Sequence, residues 1–375
     1  MSKIKSFVKI NNLYLATSVI ILNYFFNLIN LGIVDQILKI NYLNFLSTLI
    51  LFSFFLIISK TISDTLNFST LSISIVVYLM SFFVFDYLVL FLYKELSFSQ
   101  NFLITNMAWF IFLLLNKGSK FYLLFSIFVF FILNIFNNVF KENLNFNVNL
   151  NGDVEAVFLP QSKLIYENSF YYSMNNPIHS EGYPQFSSYI QSVVYKLSFF
   201  NSEVFEYFTV TTNVFILFTL LLYFELNIST FKKYLLSISY VALILNSKFL
   251  DYLFSNSLMS EGLVSYFFVV IIISILKHLN SKNELMIVLF FSGWLIFSKQ
   301  FFSTLIVIFL FYFCIRFLNY RYLFLSFFAL AIRQLSFLTY FSQLQNDHHL
   351  NQIDLQDTLL DLVLFRDLNL QNIQI

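Results

Sequence analysis

Charged residues, cysteine, proline and glycine are all scarce in this chain of 375 residues. Charged residues make up 11% and hydrophobic residues 59%, whereas a soluble domain has about 25% charged residues. A soluble globular protein has no room to hide this much apolar surface, and a disordered chain needs the opposite balance of charge and hydrophobicity. The single cysteine, Cys314, excludes a disulfide framework and a cysteine metal site.

Several functional signatures are also absent. No basic run suggests nucleic-acid binding, and there is no phosphate-binding loop, dinucleotide-binding glycine pattern or Gly-Xaa-Ser-Xaa-Gly elbow. The adjacent His348 and His349 have poor geometry for a single tight metal site. We therefore expect no nucleic-acid partner, no structural metal and no obligatory cofactor.

What the chain does contain is a series of long apolar blocks. A bilayer core needs about 20 apolar residues per helix, and backbone polar groups in lipid must be satisfied within the segment. The sequence therefore predicts an all-α polytopic membrane protein with about eleven transmembrane helices. The predicted spans are 13–34, 42–59, 70–93, 97–115, 121–140, 207–224, 234–247, 263–276, 285–297, 301–315 and 322–341.

The orientation of the spans follows from the positions of lysine and arginine. Lys3, Lys5 and Lys9 precede the first span, so the N-terminus is expected to be cytoplasmic. Counting spans then places Arg316 and Arg321 on the same side. We predict four regions: helices 1–5 in 1–140, an extracytoplasmic loop in 141–206, helices 6–11 in 207–341, and a polar outer tail, as of a shortened domain, in 342–375.

The predicted outer loop differs in composition from the rest of the chain. All three prolines lie in 141–206, and loops of this length are usually functional or disordered. Its apolar residues predict short amphipathic helices along the membrane surface. Pro160 is expected to start or kink one helix, and another is expected from about Phe186 to Phe200.

Polar residues near this loop are the candidates for chemistry, and each has a structural alternative. Asp153 suits a general base acting on a hydroxyl or a helix N-cap. Glu155 follows at i+2 and does not share a helix face with it, so a matched acid/base pair is not expected. His179 suits a metal ligand, an acceptor contact or a solvated loop residue.

Charged residues at the predicted spans also have two interpretations. Lys299 interrupts an apolar pair of helices, where it would contact a lipid-linked phosphate or snorkel to the interface. Glu261 would contact substrate or favour a helix N-terminus. Asp86 lies inside a span, and Arg333 is its candidate ion-pair partner.

Two segments of the loop resemble motifs of a known family. The run Gly152–Lys163 and the turn Glu181–Phe186 are similar to motifs of GT-C-fold membrane glycosyltransferases, of the protein-mannosyltransferase and lipid A aminoarabinose-transferase type (glycosyltransferase family 39). Glu261 and Lys299 agree with that family in order and spacing. The resemblance implies a GT-C-like fold in a bacterial inner membrane, with an extracytoplasmic active site in cell-envelope assembly.

The resemblance also implies a reaction. A sugar would move with inversion from a polyprenyl-phosphate donor to an acceptor hydroxyl, with Asp153 as general base and Lys299 near the phosphate. The expected partners are this lipid-linked sugar and membrane lipid. The remaining implied substrate contacts are Glu155, Lys163, His179, Glu181, Tyr183 and Glu261.

The alternative is a transporter, a flippase or a polysaccharide polymerase. A transporter is expected to place functional charges near the bilayer midplane, and here only Asp86 and Arg333 lie deep in predicted spans. A polymerase is expected to carry arginines in its outer loops, where this chain has only Arg366. The sequence favours the transferase.

Overall fold

The computed structural model describes a set of segments that together form a helical bundle. They are 34–92, 96–116, 120–140, 157–175, 186–198, 214–215, 217–219, 221–222, 225, 260–277, 282–295, 324–332 and 335. Every regular element among these residues is a helix, as predicted. The nine helices with defined bounds are α1 Val34–Leu66, α2 Leu71–Phe91, α3 Phe98–Leu115, α4 Lys120–Phe140, α5 Leu159–Glu167, α6 Phe170–Asn175, α7 Phe186–Leu197, α8 Ser260–Lys277 and α9 Lys282–Leu295.

Four of these helices are long and apolar enough to cross a membrane. They are Leu46–Leu66, Leu71–Leu90, Phe98–Leu115 and Lys120–Phe140, and they coincide with the second to fifth predicted spans. α8 and α9 are helical where two later spans are predicted. The predicted spans 234–247 and 301–315, and nearly all of 13–34, lie outside the described residues, so the total of eleven stays a prediction.

The helix that contains the second predicted span, 42–59, is longer than the span itself. α1 begins at Val34 and continues seven residues beyond the predicted end, through the ion pair of Lys60 with Asp64 at 2.6 Å. It ends where Asn67 adopts φ 56° and the amide of Phe68 donates to the carbonyl of Ser63 at 2.9 Å. This left-handed cap ends the helix, whereas loss of hydrophobicity marks only where it leaves lipid.

α2 is the central helix of the described bundle. Its apolar stretch is 83% buried, against 22% for α3 and 28% for α4. α3 lies antiparallel to it, because the rings of Phe82 and Phe102 lie 5.5 Å apart and the Tyr78 hydroxyl donates to Asn106 at 2.6 Å. α2 therefore fixes the positions of the elements around it.

The outer faces of α3 and α4 are apolar and exposed. Large exposed apolar patches mark membrane or partner contacts, and a helix in lipid needs this composition. These faces therefore indicate a membrane protein. Their exposed members include Leu103, Ile104, Met107, Ile111, Leu114, Phe121, Leu124, Phe125, Phe128, Phe131, Ile135 and Val139.

α9 packs closely against the helical residues 324–332. The hydroxyl of Ser326 donates to the carbonyl of Leu289 at 2.7 Å and lies 3.0 Å from the hydroxyl of Ser292. A Cβ added to Gly293 would overlap the carbonyl oxygen of Ser326 and lie 2.9 Å from the Cβ of Ala329. Small residues thus allow this close approach, as is common between membrane helices.

Candidate functional site

One end of the bundle is held together by two carboxylates that meet the N-terminus of α2. Glu225 accepts from the amide of Ser72 at 3.0 Å and from the amide of Leu71 at 2.5 Å. Glu284 accepts from the amide of Ser69 at 3.2 Å and its hydroxyl at 2.8 Å. Negative charge is favourable at a helix N-terminus, where the first amides have no intrahelical partner. These contacts therefore stabilise α2.

The same contacts place Glu225 and Glu284, both predicted to lie in loops between spans, at one end of the bundle. Glu284 also accepts from the hydroxyl of Ser274 near the C-terminus of α8, at 2.8 Å. The sequence predicts that Asp64, Glu225 and Glu284 lie on one side of the membrane. Glu284 meets Ser69 just before α2, and Glu225 meets the first residues of α2, so both lie at the end of the bundle that follows Asp64. Their side of the membrane stays a prediction.

Removing the Glu284 carboxylate should destabilise the bundle. Glu284→Ala leaves the buried hydroxyl of Ser274 and the amide of Ser69 without this acceptor, and hydrogen bonds to charged groups contribute about 1.5–3 kcal/mol each. We expect the free energy of unfolding in detergent to fall by roughly 3 kcal/mol. Glu167→Ala, at an exposed position, should change it little, and equal effects would contradict this role.

At the opposite end, α5 and α7 are joined by a buried polar network. The hydroxyl of Ser162 donates to Gln191 at 2.8 Å, and the hydroxyl of Ser192 donates to the carbonyl of Ser162 at 2.7 Å. The hydroxyl of Ser188 lies 3.2 Å from the carbonyl of Phe158. Satisfied buried networks of this kind specify one arrangement, so the register between α5 and α7 is fixed.

α7 lies against the other helices of the bundle. A helix was predicted from about Phe186 to Phe200, and α7 runs from Phe186 to Leu197. All its residues except Lys196 are buried, because its polar side chains find partners on α5 and its apolar ones pack on α2. Pro160 lies in the first turn of α5, where proline is tolerated because its missing N–H has no intrahelical acceptor.

The α5–α7 layer is anchored on α1, α3 and α4. The amide of Phe98, at the start of α3, donates to the carbonyl of Asn168 at 2.9 Å. Asn137 of α4 accepts from the hydroxyl of Ser47 of α1 at 2.8 Å and donates to the carbonyl of Ser198. The segment after Asp153 is therefore packed on the bundle through its described helices.

Asp86 lies buried beneath this layer. Its side chain is 4% exposed, and its Oδ2 has no hydrogen-bond partner among the described residues. The neighbouring groups that interact with its carboxyl are the hydroxyl of Tyr189 and the amide of Asn101. That amide donates to Tyr189 at 2.8 Å, and Tyr189 donates to the carbonyl of Phe82 at 3.0 Å. An ionisable residue in a span is costly and is commonly functional.

Sequence reasoning identified Asp86 but missed its neighbours. Asn101 reads as one polar residue in a predicted span, and Tyr189 reads as part of a helix in the predicted outer loop. Their contact crosses 88 residues of sequence, so no local pattern reveals it. The predicted partner Arg333 lies outside the described residues.

Most of the predicted site residues also lie outside the described residues, so their roles stay predictions. Two are described in part. Lys163 is exposed on α5, and Glu261 is the second residue of α8, in its first turn. Among the described residues, no group of three or more histidine, cysteine, aspartate or glutamate side chains is placed to hold a metal ion. The undescribed ones are Asp153, Glu155, His179, Glu181, Tyr183 and Lys299.

The chain was compared with protein-family models, curated proteins and solved structures. The chain matches no family model, no curated protein and no solved structure.

Proposed function

We propose that the chain is a polytopic membrane glycosyltransferase. It moves a sugar from a polyprenyl-phosphate donor to an acceptor hydroxyl outside the cytoplasm, in the inner membrane of a bacterium. The proposal rests on the motif resemblance of 152–163 and 181–186 and on the four apolar helices. It also rests on the packing of α5 against α7, the two helices into which these motifs lead.

The contact between Phe158 and Ser188 is the observation that carries the proposal. The first motif leads into α5 and the second leads into α7. The hydroxyl of Ser188 lies 3.2 Å from the carbonyl of Phe158, and these residues follow Asp153 and Tyr183 by five positions each. A glycosyltransferase of this type needs its base and its acceptor-binding turn close together, and the α5–α7 contact supports that proximity.

The mechanism is a direct displacement at the anomeric carbon. Asp153 accepts the proton of the acceptor hydroxyl as that oxygen bonds to carbon, and the bond from carbon to the phosphate oxygen breaks. The configuration inverts, and polyprenyl phosphate leaves with the bonding electron pair. Lys299 stabilises the negative charge that develops on the phosphate.

A transporter is the second candidate, and Asp86 is the observation in its favour. Buried carboxylates in spans mark ion and proton pathways in many transporters. Here, however, the neighbouring Asn101 and Tyr189 are engaged in hydrogen bonds that hold α7 on α2 and α3. We therefore assign Asp86 to the structural core of the transferase.

The test is donor consumption by the purified full chain in vesicles. Vesicles supplied with a panel of radiolabelled polyprenyl-phosphate sugars and envelope acceptors should release polyprenyl phosphate, and empty vesicles should not. Movement of the intact lipid-linked sugar across the bilayer without release would instead establish a flippase.

Orientation has a separate test by cysteine labelling. In a Cys314→Ser background, Lys163→Cys on α5 should react with an impermeant maleimide from outside the cell, because 141–206 is predicted to be extracytoplasmic. Lys60→Cys, at another exposed lysine, should react only after lysis. The reverse pattern would place the proposed active site in the cytoplasm and exclude a polyprenyl-phosphate reaction outside.

A further inference from the structure

Lys196 is a half-buried cation at the edge of the α5–α7 layer. Its ammonium donates to the hydroxyl of Ser99 at 3.1 Å and lies 4.9 Å from the ring centre of Tyr166. Among the described residues the one ion pair joins Lys60 and Asp64, so no described carboxylate neutralises Lys196. A lysine that merely snorkels extends into water, whereas this one lies over an aromatic ring.

Burial makes this cation a good anion receptor. An ammonium has three donors, and Ser99 occupies one of them. Removal from water lowers the pKa of Lys196, and it raises the pKa of Tyr166 to about 12, with the charge of Glu167 adding to that rise. An anion placed here would restore both the lost solvation and the missing counter-charge.

A second lysine adds to the positive charge at this edge. Lys163 precedes Tyr166 by three residues on α5, which makes them neighbours on one helix face. Its side chain is exposed and has no described ion-pair partner. Glu167 is the opposing charge on the same helix, and it forms no ion pair with either lysine.

Lys196 lies at the end of an exposed apolar column, which its contact with Ser99 joins to α3. Leu103 and Met107 follow Ser99 at intervals of four residues, so the three side chains stack along α3. Leu103 and Met107 are each 55% exposed. A molecule with an anionic head and hydrocarbon chains fits this surface, because its head would lie beside Lys196 and its chains would lie on Leu103 and Met107.

We propose that Lys163, Lys196 and Ser99 bind the phosphate of an anionic phospholipid, whose acyl chains lie on Leu103 and Met107. The occupant is a bulk membrane lipid because the column belongs to the outer face of α3, away from the buried side that packs on α2. Lys163 is also one of the substrate contacts that the family resemblance implies, so the titration below includes a polyprenyl phosphate to separate a bulk-lipid site from a donor site.

Native mass spectrometry of the full chain in detergent tests the site. Phosphatidylglycerol, phosphatidylcholine and polyprenyl monophosphate are titrated separately, and bound adducts are counted. Phosphatidylglycerol should bind more tightly than phosphatidylcholine. Each lysine near a lipid surface is expected to contribute about a fivefold change in affinity. Lys196→Gln should therefore weaken phosphatidylglycerol about fivefold and phosphatidylcholine little, and Glu167→Gln should strengthen phosphatidylglycerol.

Controls make each outcome decisive. Lys163→Gln changes an exposed residue, so its loss of affinity cannot come from misfolding, and Lys120→Gln removes an exposed lysine elsewhere on the surface. The site is supported if Lys163→Gln and Lys196→Gln weaken phosphatidylglycerol binding and Lys120→Gln does not. Equal loss at all three would show a general charge effect, and preference for polyprenyl monophosphate would assign the site to the sugar carrier. Either result would overturn the proposal.

Discussion

Asp153→Asn should remove nearly all sugar transfer while leaving the protein folded in the membrane. Asparagine keeps the shape of the side chain and its capacity to cap a helix, but it cannot accept the proton of the acceptor hydroxyl. General base catalysis contributes about 10²–10⁴-fold. We expect the rate of polyprenyl phosphate release to fall by that factor, with donor binding unchanged.

The neighbouring carboxylate supplies the matched control. Glu155→Gln removes the same charge two residues away and should lower the rate far less, because Glu155 is assigned to substrate contact. Retained activity in Asp153→Asn would remove the assigned base. Loss of α-helical circular dichroism in Asp153→Ala, with fold and activity both kept in Asp153→Asn, would show that Asp153 acts as a structural cap instead.

The spans of α2, α3 and α4 were predicted within a few residues from the sequence. Each is a long, predominantly apolar run, and two begin at strong caps. Thr70 caps α2, and Ser97 forms a capping box with Gln100 at the start of α3. Length and hydrophobicity determine such helices almost alone, since a backbone in lipid has few other options.

The bounds of α1 were not predictable in the same way. Lys60 and Asp64 stop the apolar run but pair with each other along the helix. Polar residues at i and i+4 support a helix outside lipid. A hydropathy pattern reports where a helix leaves the membrane, and Asn67 decides where the helix ends.

The features of the candidate site that the sequence did not predict are hydrogen bonds between residues far apart in the chain. Ser162 and Gln191 are 29 residues apart and read separately as solvated polar residues. Glu225 reads as a charge at the end of a span, yet it meets Ser72 across 153 residues. The pairing of such groups depends on how helices pack, and one sequence carries no signal for it.

Gly293→Leu should cause the largest loss of stability among the structural variants. The Cβ alone would overlap the carbonyl oxygen of Ser326 and press on Ala329, and a backbone atom cannot move without displacing its helix. Overpacking of a tight interior costs about 1–3 kcal/mol or more. Moving α9 away from residues 324–332 would also disrupt the hydrogen bond from the hydroxyl of Ser326 to the carbonyl of Leu289. We expect the free energy of unfolding in detergent to fall by roughly 4 kcal/mol, with much less folded protein recovered.

Gly293→Ala tests the close helix contact by whether the change raises or lowers stability. In an open helix, replacing glycine with alanine stabilises by about 0.5–1 kcal/mol, whereas contact with Ser326 predicts a net loss. The paired change Gly293→Ala with Ala329→Gly removes one of the two contacts and should recover part of that loss. Val269→Leu enlarges an exposed side chain on α8 and should be neutral. A Gly293→Ala protein more stable than the parent would contradict the close approach of α9 to 324–332, since only an open helix face tolerates the added methyl group.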